Sequence, residues 1–127
     1  MLTKVVSALL IIAGLIHLLP VTGVLGAERL AALYGLAVQE PNLLILLRSR
    51  AVLFGLLGAL LIYAAWRPAL QPVALCGGLV SVLTFLFLAY NSPGYNDALR
   101  RVMIADWVAL ACLLIALALY FIVRAKA

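Results

Sequence analysis

Apolar residues fall into four long blocks, and each block is separated from the next by a short segment rich in Pro, Gly, Asn or charge. A helix that crosses a bilayer needs about 20 mostly apolar residues. The first block runs from Leu2 to Leu19 and stops at Pro20. The second runs from Pro41 to Trp66, with its uninterrupted part from Ala51 onward. The third runs from Val73 to Tyr90, after Pro68 and Pro72, and the fourth from Val102 to Val123. All four are rich in Leu and Ala, which favour helix, and none shows the short alternating strands of a membrane barrel. The expectation is an all-α, integral membrane four-helix bundle forming one domain over residues 1–127.

Between the first two blocks, Leu30, Leu33, Tyr34 and Ala37 recur at helical spacing, with Glu28 and Arg29 off that stripe. That pattern predicts a short amphipathic helix lying on the bilayer or capping the bundle. Pro41, after Glu40, suits the first turn of the next helix. Asn91 to Asp97 is dense in turn residues.

Composition narrows the class. The 127 residues are 69% hydrophobic and only 10% charged, whereas a soluble domain is roughly half apolar and about a quarter charged. Such a chain cannot cover its own surface in water, and it lacks the polarity of a disordered tail. The net charge of +5 comes from basic residues scattered between apolar blocks, not from a basic face, so nucleic acid is not an expected partner. Cys76 and Cys112 each sit inside an apolar run without metal or redox spacing. Reading the first block as a cleaved signal peptide, with Lys4 ahead of an apolar stretch, is disfavoured by the poor cleavage context of Pro20 to Gly26.

Four spans place Lys4, Arg67, Arg124 and Lys126 on one side, with no acid. Glu28, Arg29, Glu40, Asp97, Arg100 and Arg101 lie on the other. Lys and Arg near span ends are favoured in the cytoplasm. Basic counts on the two sides are nearly equal, and the positive amino terminus tips the expectation toward both termini being cytoplasmic.

Small residues mark the packing faces, because they let helix backbones approach in a bilayer. They are Ala13 and Gly14 in the first span, Ala51, Gly55, Gly58 and Ala59 in the second, and Gly77, Gly78, Ser81 and Thr84 in the third. The fourth offers Ala105, Ala109, Cys112 and Ala116. These faces suit a compact bundle or dimerisation.

Ionisable residues inside a membrane are costly, so each is a functional candidate. They are His17, Arg48, Arg50 and Asp106, all toward one end of their spans. Helical phase puts Arg48 on the small face with Ala51 and Gly55. It puts Arg50 roughly 200° around, with Phe54, Leu57 and Leu61, where its side chain would snorkel to headgroups. His17 follows Ala13 and Gly14, and Asp106 aligns with Ala109 and Leu113. The expected site is therefore an outward-facing pocket of His17, Arg48 and Asp106, with Tyr90 or Asn91 in reach. Arg48 would hold an anionic group, Asp106 would orient Arg48, and His17 would add a pH-sensitive donor. A purely structural Arg48–Asp106 clasp is the plain alternative.

One His cannot supply a bis-His haem site, and no H-E-x-x-H, G-x-S-x-G or P-loop is present. No cofactor or metal is implied. Small multidrug transporters have a similar length and span count, but they rely on a membrane-embedded Glu in the first span, which here carries His17 and no acid.

The strings Gly14-Leu15-Ile16-His17-Leu18-Leu19-Pro20, Gly26-Ala27-Glu28-Arg29-Leu30, Leu33-Tyr34-Gly35, Glu40-Pro41-Asn42-Leu43 and Arg48-Ser49-Arg50-Ala51-Val52-Leu53-Phe54-Gly55 resemble a family of short bacterial four-helix inner-membrane proteins, DoxX-like in shape. Relatives sometimes carry the label phosphopantetheine adenylyltransferase. The soluble enzyme of that name uses a nucleotide-binding α/β fold and a His-x-Gly-His type motif, whereas His17 is followed by Leu18, Leu19 and Pro20. The resemblance thus implies a multi-pass bacterial inner-membrane protein and carries over no catalytic residue. The expected function is binding of a lipid, a hydrophobic small molecule or a partner protein. A membrane enzyme acting on an amphiphile with His17 as acid/base, or an oligomeric small transporter, is the alternative.

Overall fold

The computed structural model describes residues 1–36 and 40–126. Five α-helices make up the described chain: α1 Leu2–Leu18, α2 Ala27–Tyr34, α3 Pro41–Ala64, α4 Gln71–Tyr90 and α5 Asp97–Lys126. Two 3₁₀ segments, Leu19–Leu25 and Pro68–Leu70, continue α1 and introduce α4. Four of the resulting stretches, Leu2–Leu25, Pro41–Ala64, Pro68–Tyr90 and Asp97–Lys126, are long and apolar enough to cross a membrane. At about 1.5 Å per residue even the shortest is long enough for a hydrocarbon core of about 30 Å. The chain is an all-α four-helix bundle of the multi-pass membrane type.

The long helices run antiparallel around a ring. α1 packs against α3 and α5, and α4 packs against the same two, so α3 and α5 stand diagonally opposite. Their shared core includes Leu10, Ala13, Leu61, Leu75, Val82 and Leu113. Bulky side chains such as Leu53, Leu56, Val80 and Ile115 point outward, as expected where the solvent is hydrocarbon.

Span boundaries differ from the sequence expectation in ways that local chemistry explains. Pro20 does not end the first span. It sits in the first turn of the 3₁₀ segment, where its missing N–H costs no bond. The chain stays helical to Leu25 and is stopped by Gly26 at φ 134°. The fourth span starts at Asp97 rather than Val102, because Asn96 caps its first turn by accepting from the Leu99 N–H at 2.8 Å. Pro68 and Pro72 interrupt little, since each occupies a first turn.

The short α2 caps one mouth of the bundle. Leu30 is fully buried, and Tyr34 nearly so, against Leu33, Leu44, Leu47, Leu99 and Val102. Gly35, at φ 66°, terminates it in the left-handed conformation that favours glycine. The expected continuation to Ala37 lies outside the described residues.

Candidate functional site

Beneath α2, at the end of the bundle where α1 finishes and α5 begins, the polar groups of the spans gather. His17 lies on the buried face of α1 with Val6, Leu10 and Ala13, and is only 3% exposed. Its Nδ1 lies 2.8 Å from the Ala13 carbonyl oxygen. A carbonyl only accepts, so Nδ1 carries a proton, and in the neutral ring Nε2 is left as an acceptor. That Nε2 is buried with no hydrogen-bond partner. The ring instead leans on Phe54 of α3, centroids 6.0 Å apart.

Phe54 carries a second partner. The Arg50 guanidinium lies 4.7 Å from its ring centroid and 5.8 Å from that of Phe85 on α4. His17, Phe54, Arg50 and Phe85 thus form a stack running from α1 through α3 to α4. The spacing i to i+4 on α3 places Arg50 over Phe54. A guanidinium is weakly hydrated and is attracted to ring faces, so aromatic surfaces can shelter it near hydrocarbon.

The two arginines have different partners. Arg48 does lie on the face shared with Ala51 and Gly55, but that face meets the 3₁₀ segment, with Val21 against Gly55. Arg48 Nε donates to the Val24 carbonyl at 2.9 Å, tying the end of the first span to α3. Its Nε is turned to the first span and not to Asp106. Arg50 is the cation whose field reaches the half-buried Asp106. Its guanidinium leans toward α4 onto Phe85.

Tyr90 and Asn91 stay apart from this cluster. Tyr90 is 84% exposed and lines a shallow cleft with Tyr95, Arg100 and Trp107. Asn91 turns back to donate from Nδ2 to the Phe87 carbonyl at 3.0 Å, closing the end of α4.

Arg50 opens onto a groove of about 330 Å³ between α3, α4 and α5, roofed by α2. Its wall is mainly apolar, with Leu47, Phe85, Leu88 and Met103, and its rim carries Ser92 and Tyr95. One cation at the head of an apolar slot suits a molecule with one acidic group and a hydrocarbon body. Helical phase alone aligned Arg50 with Phe54 on the outer face of the second span and did not bring Phe85 of α4 to it. Among the described residues no three His, Cys, Asp or Glu side chains gather to hold a metal ion. Both cysteines are free thiols, Cys76 exposed and Cys112 buried. No protein-family model, curated protein or solved structure matches the chain.

Proposed function

We propose that this protein is a membrane binding protein whose groove beneath α2 holds an anionic amphiphile. Arg50 takes the acidic group, and Leu47, Phe85, Leu88 and Met103 take the hydrocarbon. The observation that carries this reading is the placement of Arg50. Its guanidinium rests on two aromatic rings at the head of an apolar groove, not on a carboxylate. A guanidinium has five N–H donors, and ring faces occupy none of them. An arriving phosphate or carboxylate can therefore be held by two parallel N–H bonds. Asp106 balances the charge of Arg50 when the groove is empty.

Membership of the DoxX-like bacterial family, an inner-membrane location and cytoplasmic termini belong to the same proposal. Support for the orientation comes from the basic residues near the span ends, Lys4, Arg67, Arg124 and Lys126 at one end of the bundle against Arg29, Arg100 and Arg101 at the other. Ser92→Cys should then react with an impermeant maleimide in intact spheroplasts, and Ala69→Cys only after permeabilisation. The opposite pattern would reverse the orientation.

Native mass spectrometry of the gently extracted protein tests the binding reading, with wild type beside Arg50→Gln and Arg48→Gln. Wild type should carry a co-purifying acidic amphiphile. Arg50→Gln should lose it at least severalfold, and Arg48→Gln, whose Nε is committed to Val24, should keep it. A bare wild-type spectrum, or equal retention in Arg50→Gln, would overturn the proposal.

A further inference from the structure

At the opposite end of the bundle, where α1 begins and α5 finishes, the charge balance is one-sided. Lys4, Arg67, Arg124 and Lys126 lie there, while all four acidic residues of the chain, Glu28, Glu40, Asp97 and Asp106, lie in the other half. A cavity of about 440 Å³ opens at this basic end and is lined by Thr3, Ser7, Trp66, Gln71, Tyr120 and Arg124. A second cleft of about 380 Å³ shares Thr3, Ser7, Ala65 and Trp66 with it and adds Lys4, Ala8 and Ile11. The two clefts are halves of one depression with a cation on each side.

The polar groups on its floor already have internal partners. Ser7 Oγ donates to the Ala65 carbonyl at 2.6 Å, and Gln71 Nε2 donates to the Ala64 carbonyl at 3.1 Å. What the rim offers is mostly donors. Arg124 uses one N–H on the Tyr120 hydroxyl at 3.1 Å, which holds the guanidinium at the mouth with its other N–H groups available. Lys4 adds three donors, and Thr3 and Tyr120 one hydroxyl each. A donor-rich lining with no Asp or Glu side chain among the described residues calls for an acceptor-rich anion. The depth is that of the membrane interface, marked by Trp66, Tyr63 and Tyr120 at the ends of their helices. Ala8 and Ile11 continue the depression along α1 toward the hydrocarbon.

We propose that this depression binds the phosphate headgroup of an anionic phospholipid between Lys4 and Arg124, with an acyl chain running along Ala8 and Ile11. The site is separate from the groove at Arg50 and faces the other leaflet, so the two stand or fall independently.

Trp66 and Trp107, the two tryptophans of the chain, lie at opposite ends. The full-length Trp107→Phe protein leaves Trp66 as the reporter. It is placed in phosphatidylcholine vesicles containing a minor fraction of brominated phosphatidylglycerol, or the same fraction of brominated phosphatidylcholine. The brominated anionic lipid should quench Trp66 several times more strongly than the brominated neutral one. Adding Lys4→Gln or Arg124→Gln should bring quenching down to the neutral level. Arg67→Gln, a cation at the same end that does not line the depression, should leave the excess intact. Equal quenching by the two lipids would overturn the proposal. So would loss of the excess in Arg67→Gln to the extent seen in Arg124→Gln, which would mean diffuse attraction without a site. Excess inorganic phosphate, at matched ionic strength, should leave the difference in place, and its disappearance would overturn the lipid in favour of free phosphate.

Discussion

Gly14 and Gly58 meet where α1 crosses α3. A Cβ on Gly58 would lie 2.8 Å from the Gly14 carbonyl oxygen, and one on Gly14 would lie 2.9 Å from that of Gly58. Backbone cannot move aside as a side-chain tip can, so Gly58→Ala must separate the helices. Overpacking of this kind costs about 1–3 kcal/mol, and the better helix propensity of Ala returns at most ~1 kcal/mol. Gly55→Ala is the control, because its Cβ would meet only Val21 Cγ2, at 3.2 Å. Unfolding in mild detergent should show Gly58→Ala destabilised and Gly55→Ala close to wild type; equal losses would refute the crossing. Glu40 gives a second residue-level expectation. Its carboxylate accepts from the Asn42 and Leu43 N–H groups at 3.1 and 2.9 Å, and these bonds hold its pKa below the ordinary carboxylate range. A carboxyl with a depressed pKa stabilises the folded state at pH above its unfolded value of 4.5, and that contribution is lost as pH falls through the lower folded value. Protection of the Asn42 and Leu43 amides, taken relative to their intrinsic exchange rates, should therefore fall in acid below that range, and Glu40→Gln should show little of that fall. The small-residue stripe that contains Gly14, Gly55 and Gly58 was legible in the sequence, because size alone marks a close approach. The fates of Arg48 and Arg50 were not. Helical phase gives the angle between them, but only the neighbours, a 3₁₀ carbonyl on one side and Phe85 on the other, decide what each angle means.

Among elements, the Asn96 side chain adds hydrogen bonds to the apolar packing of α2 on α5. Asn96 accepts from the Leu99 N–H at the start of α5 and donates from Nδ2 to the Tyr34 carbonyl at the end of α2, 2.7 Å away. Asn96→Ala removes both bonds, and a lost cap together with a lost hydrogen bond is worth about 1–3 kcal/mol. Asn96→Asp keeps the acceptor and removes the donor. In amide exchange the Ala variant should loosen both Leu30–Tyr34 and the first turn of α5, whereas the Asp variant should loosen only Leu30–Tyr34. If the Asp variant left α2 fully protected, Asn96 would not be its tether. The roof over the Arg50 groove depends on this link, so Asn96→Asp should also weaken retention of the bound amphiphile. The turn character of Asn91–Asp97 was readable from composition, but a partner 62 positions away leaves no local pattern. The spans, by contrast, were readable almost to their ends. Their errors fall where a proline sits in a first turn or a cap extends a helix, places at which local chemistry overrides the hydropathy edge.

For the whole molecule, the bilayer changes what burial means. Leu61 is fully buried and lies beside the close approach of Gly78, whereas Leu56, on the same helix, is 63% exposed in the absence of lipid. In water, Leu61→Ala would lose both transfer energy and packing, roughly 2–5 kcal/mol. In a bilayer both folded and separated helices stay in hydrocarbon, so the transfer part nearly cancels and what remains is lost packing around the cavity. The expected cost of Leu61→Ala is therefore below that range yet clearly measurable, and that of Leu56→Ala is near zero. Reversible unfolding in bicelles of the two variants beside wild type reads the difference. Equal costs would mean that α3 presents another face to its neighbours. Since Arg50 and Phe54 are placed by the same rotation of α3, that result would remove the basis of the groove as well. The contrast between two leucines thus checks the orientation on which the binding reading depends, without needing to know the ligand.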